Sequence, residues 1–262
     1  VPAACADGAC TARACELAIL VARTASAHAA VAAHDAWVVA HSLGAPVAMG
    51  FLAGRSEGWL KAHVAAFVSS LARPFGGSTQ MSLSDVSGYT FSIPLVPSDY
   101  LRPVQSSAAS GSFLLPIPEA PGNATVMVQT PAKNYSVAQQ MKMLHDLGLG
   151  LEQAAAELAN LLKLKLTLRD LVAIGPRVPS HVLWSSGVKT EEFFAYSKPF
   201  TAGCDLGKPK RTRSGDGDGT VNAASLAYAW KGWSPRPSSL EVKGASHFGM
   251  LSAPPVLDYL EN

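Results

Sequence analysis

Residues 36–54 read Ala36-Trp-Val-Val-Ala-His-Ser42-Leu-Gly-Ala-Pro46-Val-Ala-Met-Gly-Phe-Leu-Ala-Gly54. Ala36–Ala40 is a short, bulky, β-branched run, the signature of a strand buried on both faces. From Leu43 to Gly54 the pattern becomes helical, with Pro46 in the first turn, where its missing N–H does no harm. Between the two lies Ala40-His-Ser42-Leu-Gly44, small-x-Ser-x-small. By itself that pattern arises by chance, and Ser42 could occupy an ordinary βα turn. At a strand-to-helix junction, small flanking residues permit the sharp turn that projects a serine Oγ. The stretch is apolar enough to mimic a membrane span, but His41, Ser42, Gly44 and Pro46 in its middle argue against one.

Working outward, residues 11–33 are Ala-rich with few breakers and predict a helix. His63–Leu71 returns to strand character, so strand, turn, helix and strand form the βαβ unit of a parallel sheet. From about Arg73 to Gly122 the chain is rich in Ser, Pro and Gly and shows no sustained helical period. A strand at Thr125–Gln129 and helices at Val137–Leu147 and Leu151–Leu162 follow. Strand character resumes at His181–Ser185 and Ser239–Val242, and Ala223–Trp230 and Pro255–Leu260 read as closing helices. The expected architecture is an α/β-hydrolase fold in three parts: core with elbow over 1–74, an inserted cap over 75–175, and core over 176–262. Only one helix precedes the elbow strand, so several N-terminal strands of that fold are expected to lie upstream of residue 1.

A serine hydroxyl needs a base within hydrogen-bond reach. Among seven histidines, His247 fits: it follows the strand Ser239–Val242 in a Gly-Ala-Ser loop and precedes the last helix. His41 adjoins the nucleophile in sequence, so the elbow is expected to point it elsewhere. His28, His34, His63, His145 and His181 read as structural. The acid belongs between nucleophile and base in the order Ser…Asp…His. Gly215-Asp-Gly-Asp218-Gly-Thr-Val221 offers Asp216 and Asp218, and the Asp-x-x-Val spacing favours Asp218, with Asp216 shaping the turn or binding nearby backbone. The backbone N–H of Leu43 is the expected oxyanion donor, the second donor coming from upstream.

Two other chemistries compete. Asp216-Gly-Asp218-Gly-Thr220 matches the D-x-D-G-T of haloacid-dehalogenase-type phosphatases, but Lys208–Ser214 before it cannot form their buried strand. An EF-hand reading lacks its distal Glu. A non-enzymatic lipid-binding or interaction module on the same fold also remains open.

Composition narrows the field. The 262 residues carry a formal charge of +2, are 48% hydrophobic and 15% charged, and contain no charged blocks. That gives no reason to expect a nucleic-acid partner; the basic run Lys208–Arg213 reads as a solvated loop. Cys5, Cys10 and Cys15 stand five residues apart on an expected helix and do not converge as metal ligands would, and with Cys204 they read as small apolar residues. No metal or cofactor is expected. The sequons at Asn123 and Asn134 are compatible with secretory glycosylation.

Several blocks, in one order along essentially the whole chain, resemble the lecithin:cholesterol acyltransferase family. Val39-Ala-His-Ser-Leu-Gly44 is similar to its elbow, the leading Ala being found in the lysosomal branch. Trp59-Leu-Lys61, Phe67-Val-Ser-Ser70 and Arg73-Pro-Phe-Gly-Gly77 resemble its W-K … F-V-S-L … A-P-W-G-G block. Ser112-Phe-Leu-Leu-Pro116 resembles S-x-W-L-L-P. Val128–Tyr135 and Met143–Gly148 resemble V-x-T-P-x-x-N-Y … F-F-x-D-I-G, and Ser186–Glu191 resembles G-T-G-V-x-T-P. Ser214-Gly-Asp-Gly-Asp-Gly-Thr-Val-Asn222 is nearly the lysosomal form, whose second Asp is the acid. His247-Phe-Gly-Met-Leu251 resembles the run after the base. The departures are the absent upstream half-core and Phe75 and Phe113 at aromatic positions of the cap. The resemblance implies acyl transfer from a glycerophospholipid through an acyl-Ser42 intermediate to water or a lipid alcohol, without metal. It also implies contact with a membrane or lipoprotein surface in the full-length protein and a place in the secretory pathway. Residues 1–262 alone are expected to be inactive.

Overall fold

The computed structural model describes residues 36–70, 74–90, 97–108, 111, 113–122, 124–149, 167–202, 206–228 and 230–261. The helices expected at 11–33 and 151–162, all four cysteines and the Asn123 sequon lie outside the described residues.

The first sheet is parallel throughout, in the order β1-β2-β5-β8, from β1 (Trp37–Val39), β2 (Ala66–Ser70), β5 (Ser180–Ser186) and β8 (Ser238–Lys243). β-Branched and aromatic residues alternate across it, because successive side chains leave a strand on opposite faces. Phe67 and Val182 pack into the main core with α1 (Gly44–Ala53), while Val68, Leu183 and Val242 meet Val256 of α8 (Pro254–Glu261) on the other side. Helices therefore cover both faces, as parallel strands require. The chain is a mixed α/β protein built on a parallel sheet.

The β1–α1–β2 unit forms as expected, with Pro46 in the first turn of α1. The strand expected from His63 begins only at Ala66, because Glu57–His63 forms helix α2, whose Ser56 Oγ accepts from the Trp59 N–H at 3.2 Å. An N-cap of this kind satisfies one of the orphan donors of the first turn.

Two helices stand where the sequence showed no helical period: α3 (Thr79–Ser87) and α4 (Ser98–Gln105). Helix α3 is buried along its whole length, on every side, although it reads Thr-Gln-Met-Ser-Leu-Ser-Asp-Val-Ser. A helix covered all round carries no amphipathic stripe, so its period is invisible.

A second four-stranded sheet has the order β4-β3-β6-β7, from β3 (Val126–Gln129), β4 (Asn134–Ser136), β6 (Val188–Ala195) and β7 (Arg211–Gly217). Here β3 pairs with β4 antiparallel and with β6 parallel, and β6 pairs with β7 antiparallel. It thus joins strands from both the 75–175 and the 176–262 segments. The basic run expected as a loop enters β7 at Arg211, and this strand is exposed along most of its length. Edge position and exposure reconcile charge with strand, and Arg213 meets Glu192 of β6 at 3.1 Å.

The helix expected over Val137–Leu147 is a 3-10 turn, Val137–Gln139, followed by α5 (Gln140–Asp146). Helix α6 (Leu168–Ile174) opens on a reciprocal capping box between Thr167 and Asp170. The closing helix expected at Ala223–Trp230 is shorter, α7 (Ala223–Leu226), with a separate 3-10 turn at Trp230–Gly232. Ser234-Pro235 is a cis peptide. Among the described residues no helix is long and apolar enough to cross a membrane.

Candidate active site

Ser42 sits between β1 and α1 with φ 51°, a left-handed conformation that a serine adopts only when its surroundings over-determine it. The Gly44 N–H bonds the His41 carbonyl at 2.8 Å and the Ala45 N–H bonds the Ser42 carbonyl at 3.0 Å, closing the turn. Leu43 is the N-cap of α1, so its amide belongs to the electropositive end of that helix.

His247 lies in the loop after β8 and is 5% exposed. Its Nε2 stands 3.0 Å from Ser42 Oγ, across 205 positions of sequence, and its Nδ1 stands 3.0 Å from Asp218 Oδ2. Asp218 is fully buried. Its Oδ1 accepts the N–H groups of Thr220 at 2.8 Å and Val221 at 2.7 Å, which leaves Oδ2 for the imidazole. The His247 N–H in turn donates to the Asp218 carbonyl at 2.7 Å, so two bonds fix the ring against the carboxylate. Val221 is 1% exposed and pins the loop to the core. Asp216, exposed, accepts the Gly187 N–H at 2.6 Å and does not reach the imidazole.

Sequence reasoning missed the supports of this acid loop. Gly219, with φ 92°, donates its N–H at 2.8 Å to the buried Thr190 hydroxyl. A Cβ at Gly217 would collide with Thr190 Oγ1 and the Val221 carbonyl. From α3 and its N-cap, the Ser78 hydroxyl donates to the Thr220 carbonyl at 2.7 Å and the Gln80 amide donates to the Gly219 carbonyl at 3.0 Å. Thr79 Oγ1 lies 2.6 Å from the Glu191 carbonyl and 2.8 Å from Asn222 Oδ1. The loop's internal bonds from Thr220 and Val221 to Asp218 are thus joined by bonds from a helix distant in sequence. The only early signal was an unusual density of Ser, Thr and Gln after Gly76-Gly77.

His41 departs from expectation. The elbow does not send it away from the site: its ring packs edge-on against His247, centroids 4.9 Å apart, and its Nε2 lies 3.1 Å from the His247 carbonyl oxygen. Burial lowers its pKa, against the raising effect of that hydrogen bond, and so favours the neutral ring. His63 and His181 pack on aromatic neighbours instead: His63 against Trp59, and His181 between Trp37 and Tyr259, whose hydroxyl is 2.9 Å from its Nδ1. His145 is exposed beside Asp146.

A cleft of about 370 Å³ opens at Ser42 and His247. Leu43, Pro74, Met81, Leu114 and Val221 make its wall largely apolar, suited to an alkyl chain. Phe75, fully buried, packs edge-on against Trp233. Phe113 is partly buried against the core.

Ser42 and His247 follow strands β1 and β8 of the parallel sheet, Asp218 follows β7 of the second sheet, and the three stand in the hydrogen-bonded series of a Ser-His-Asp constellation beside a largely apolar cleft. The model of the lecithin:cholesterol acyltransferase family matches residues 20–170, more than half of the sequence. The chain belongs to that family. It is 32% identical over 228 residues to the lysosomal phospholipase A and acyltransferase of Homo sapiens, covering 86% of this chain and 52% of the relative. It is 32% identical over 215 residues to lecithin-cholesterol acyltransferase-like 1 of Arabidopsis thaliana (82% and 46%). Against the phosphatidylcholine-sterol acyltransferase of Gallus gallus the figures are 26% over 218 residues, 82% and 50%. The chain spans about half the length of these curated relatives.

Proposed function

We propose that the full-length protein is a lipid O-acyltransferase/phospholipase that moves a fatty acyl group from a glycerophospholipid, through acyl-Ser42, to water or a lipid alcohol. The observation that carries the proposal is the series Ser42 Oγ, His247, Asp218, with both links at 3.0 Å. The reading assigns an α/β-hydrolase fold to the chain, with core over 1–74 and 176–262 and a cap inserted over 75–175 whose strands β3 and β4 share a sheet with β6 and β7.

In this mechanism His247 Nε2 takes the Ser42 proton as Oγ attacks the ester carbonyl. The oxyanion forms beside the Leu43 N–H, where the first turn of α1 favours negative charge. Collapse expels the lysolipid oxygen, which takes the proton back from His247. Water or an alcohol then gives its proton to His247 as it attacks the acyl-enzyme, and the departing Ser42 Oγ takes that proton back from the imidazolium. Asp218 holds the ring in the tautomer that leaves Nε2 free to accept, and offsets the imidazolium charge. His41 acts as a positioning residue through the His247 carbonyl. Access to lipid through a membrane or lipoprotein surface, and a place in the secretory pathway, belong to the same reading; the name "lysosomal" on one group of relatives supports the latter.

A fluorophosphonate probe and a phospholipid turnover assay on the full-length protein test this. Labelling and acyl release are expected in the wild type, and both should vanish in Ser42→Ala, turnover falling by about 10⁵-fold or more. An unlabelled wild type that binds lipid without turnover would replace the enzyme with a lipid-binding module.

A further inference from the structure

Asp85 of α3 is fully buried, yet it lines the cleft that opens at Ser42 and His247. Neither carboxyl oxygen has a hydrogen-bond partner among the described residues. Ser82 Oγ and Gln80 Oε1 of the same helix are likewise buried without a partner among the described residues, but neither residue lines the cleft. The Ser78, Thr79 and Gln80 side chains bond the acid loop and its neighbours, and Ser87 Oγ pairs with Tyr196 Oη at 3.0 Å. Gln105, which shares the cleft wall, spends its amide on the Tyr89 backbone. Only Asp85 and the adjacent Ser84 hydroxyl reach the cleft wall from this helix without a partner. The chain passes the carboxyl at Gly111, where even a Cβ would stand 3.2 Å from Oδ1, so no side chain caps that oxygen from there.

Leaving a buried polar group unpaired costs about 1–3 kcal/mol, and more for a charged one. A carboxyl retained in that state within a ligand cleft points to a partner that arrives with the ligand. We propose that Asp85 is a specificity-determining residue: its carboxyl receives a hydroxyl carried by the lipid substrate, on the acyl chain or as a second hydroxyl of an acceptor alcohol. This rests on the acyl-transfer reading given above.

The surroundings select a hydroxyl. The cleft surface is largely apolar, with the Asp85 carboxyl and the adjacent Ser84 hydroxyl as its unpartnered polar points on α3, so a mainly hydrocarbon ligand with a polar point at that depth fits it. Among the described residues no Lys or Arg lines the cleft, and its two histidines are engaged with each other, Ser42 and Asp218. Burial pushes the Asp85 pKa up to about 8, so near neutrality the group is a carboxylic acid. A carboxylic acid offers one donor and one acceptor, and a hydroxyl answers both without creating a buried charge. An ammonium would require ionising Asp85.

The test uses full-length protein as wild type, Asp85→Leu and Asp85→Asn. In the first arm, phospholipids carrying stearoyl chains compete against positional isomers of hydroxystearoyl chains, with water as acceptor. In the second, a plain donor is offered octadecanol against octadecanediols. Wild type is expected to prefer the hydroxylated member by about tenfold or more in kcat/KM in one arm, and that arm identifies the source. Asp85→Leu should bring the ratio to about one, and Asp85→Asn, which keeps a donor and an acceptor, should retain part of it. A ratio near one in wild type, a ratio unmoved by Asp85→Leu, or a preference for an amine-bearing chain would each overturn the proposal. Lack of turnover on every substrate would instead break the functional reading. The relative affinity of hydroxystearate and stearate for wild type and Asp85→Leu would then still decide what Asp85 does.

Discussion

Phe67 and Asp85 are both fully buried, one in strand β2 of the parallel sheet and the other on helix α3. Phe67 is inside because transfer from water favours it, and its burial stabilises the fold by about 2–3 kcal/mol. Asp85 is inside despite a transfer penalty, on a helix whose polar side chains hold the acid loop. The sheet is a scaffold that any well-packed apolar set could make. Helix α3 is specific to the site: it covers the cleft and positions Asp218 through the Gly219 and Thr220 carbonyls. The sheet also carries Ser42 and His247 just beyond strands β1 and β8, so it serves fold and site together, while the polar side chains of α3 and its N-cap serve the acid loop.

The sharpest way to break this comparison is at the loop itself. Asp218→Asn should lower acyl transfer by about 10³–10⁴-fold with little loss of fold, because an amide still accepts the Thr220 and Val221 N–H groups but does not hold the imidazole tautomer. Asp216→Asn, altering only the bond from Gly187, should cost less than tenfold. Steady-state kinetics on the pair decide it, and a larger loss from Asp216→Asn would reassign the acid.

Next in size, Phe67→Ala should destabilise by about 3–5 kcal/mol in chemical denaturation, the cost of lost burial plus a cavity between sheet and α1.

The smallest effect runs in the opposite direction and depends on pH. The Asp85 carboxyl titrates near 8 when folded, from burial alone, and near 4 when unfolded. Between those values the folded state holds the extra proton, so stability is greatest at low pH and falls as pH rises towards 8. Asp85→Asn, which does not titrate, should remove that slope. Relative to that variant, wild type should lose roughly 3–4 kcal/mol of stability between pH 5 and pH 8, read from denaturation curves at the two pH values. Equal slopes in the two proteins would show that Asp85 is ionised and solvated.

Legibility followed the same division. The elbow strand and helix were plain because Trp37, Val38 and Val39 are a bulky run and Pro46 has a tolerated place in α1. The positions of Ser42, Asp218 and His247 were available from local signals: small neighbours at a strand–helix junction, an Asp-x-x-Val loop, and a histidine after the last strand. Helix α3 was hidden, since burial on all sides erases periodicity. Strand β7 was hidden too, since Arg211 and Arg213 read as solvent-exposed loop; an edge position allows such residues in a strand. His41 was misjudged because adjacency in sequence says nothing about which ring lies across from it.

What the amino-acid order determined alone was the local chemistry: which segments could be strand or helix, and which residue types could serve as nucleophile, base and acid. Those properties arise from side-chain shape, apolar spacing and backbone preference within a few residues. The tertiary structure decided that residues 205 positions apart stand 3.0 Å from each other, and that a polar helix is buried against the acid loop. It also decided that Asp85 lines a largely apolar cleft with no hydrogen-bond partner among the described residues. Hydrogen-bond satisfaction and desolvation are set by what surrounds an atom in space, and no local pattern encodes those surroundings.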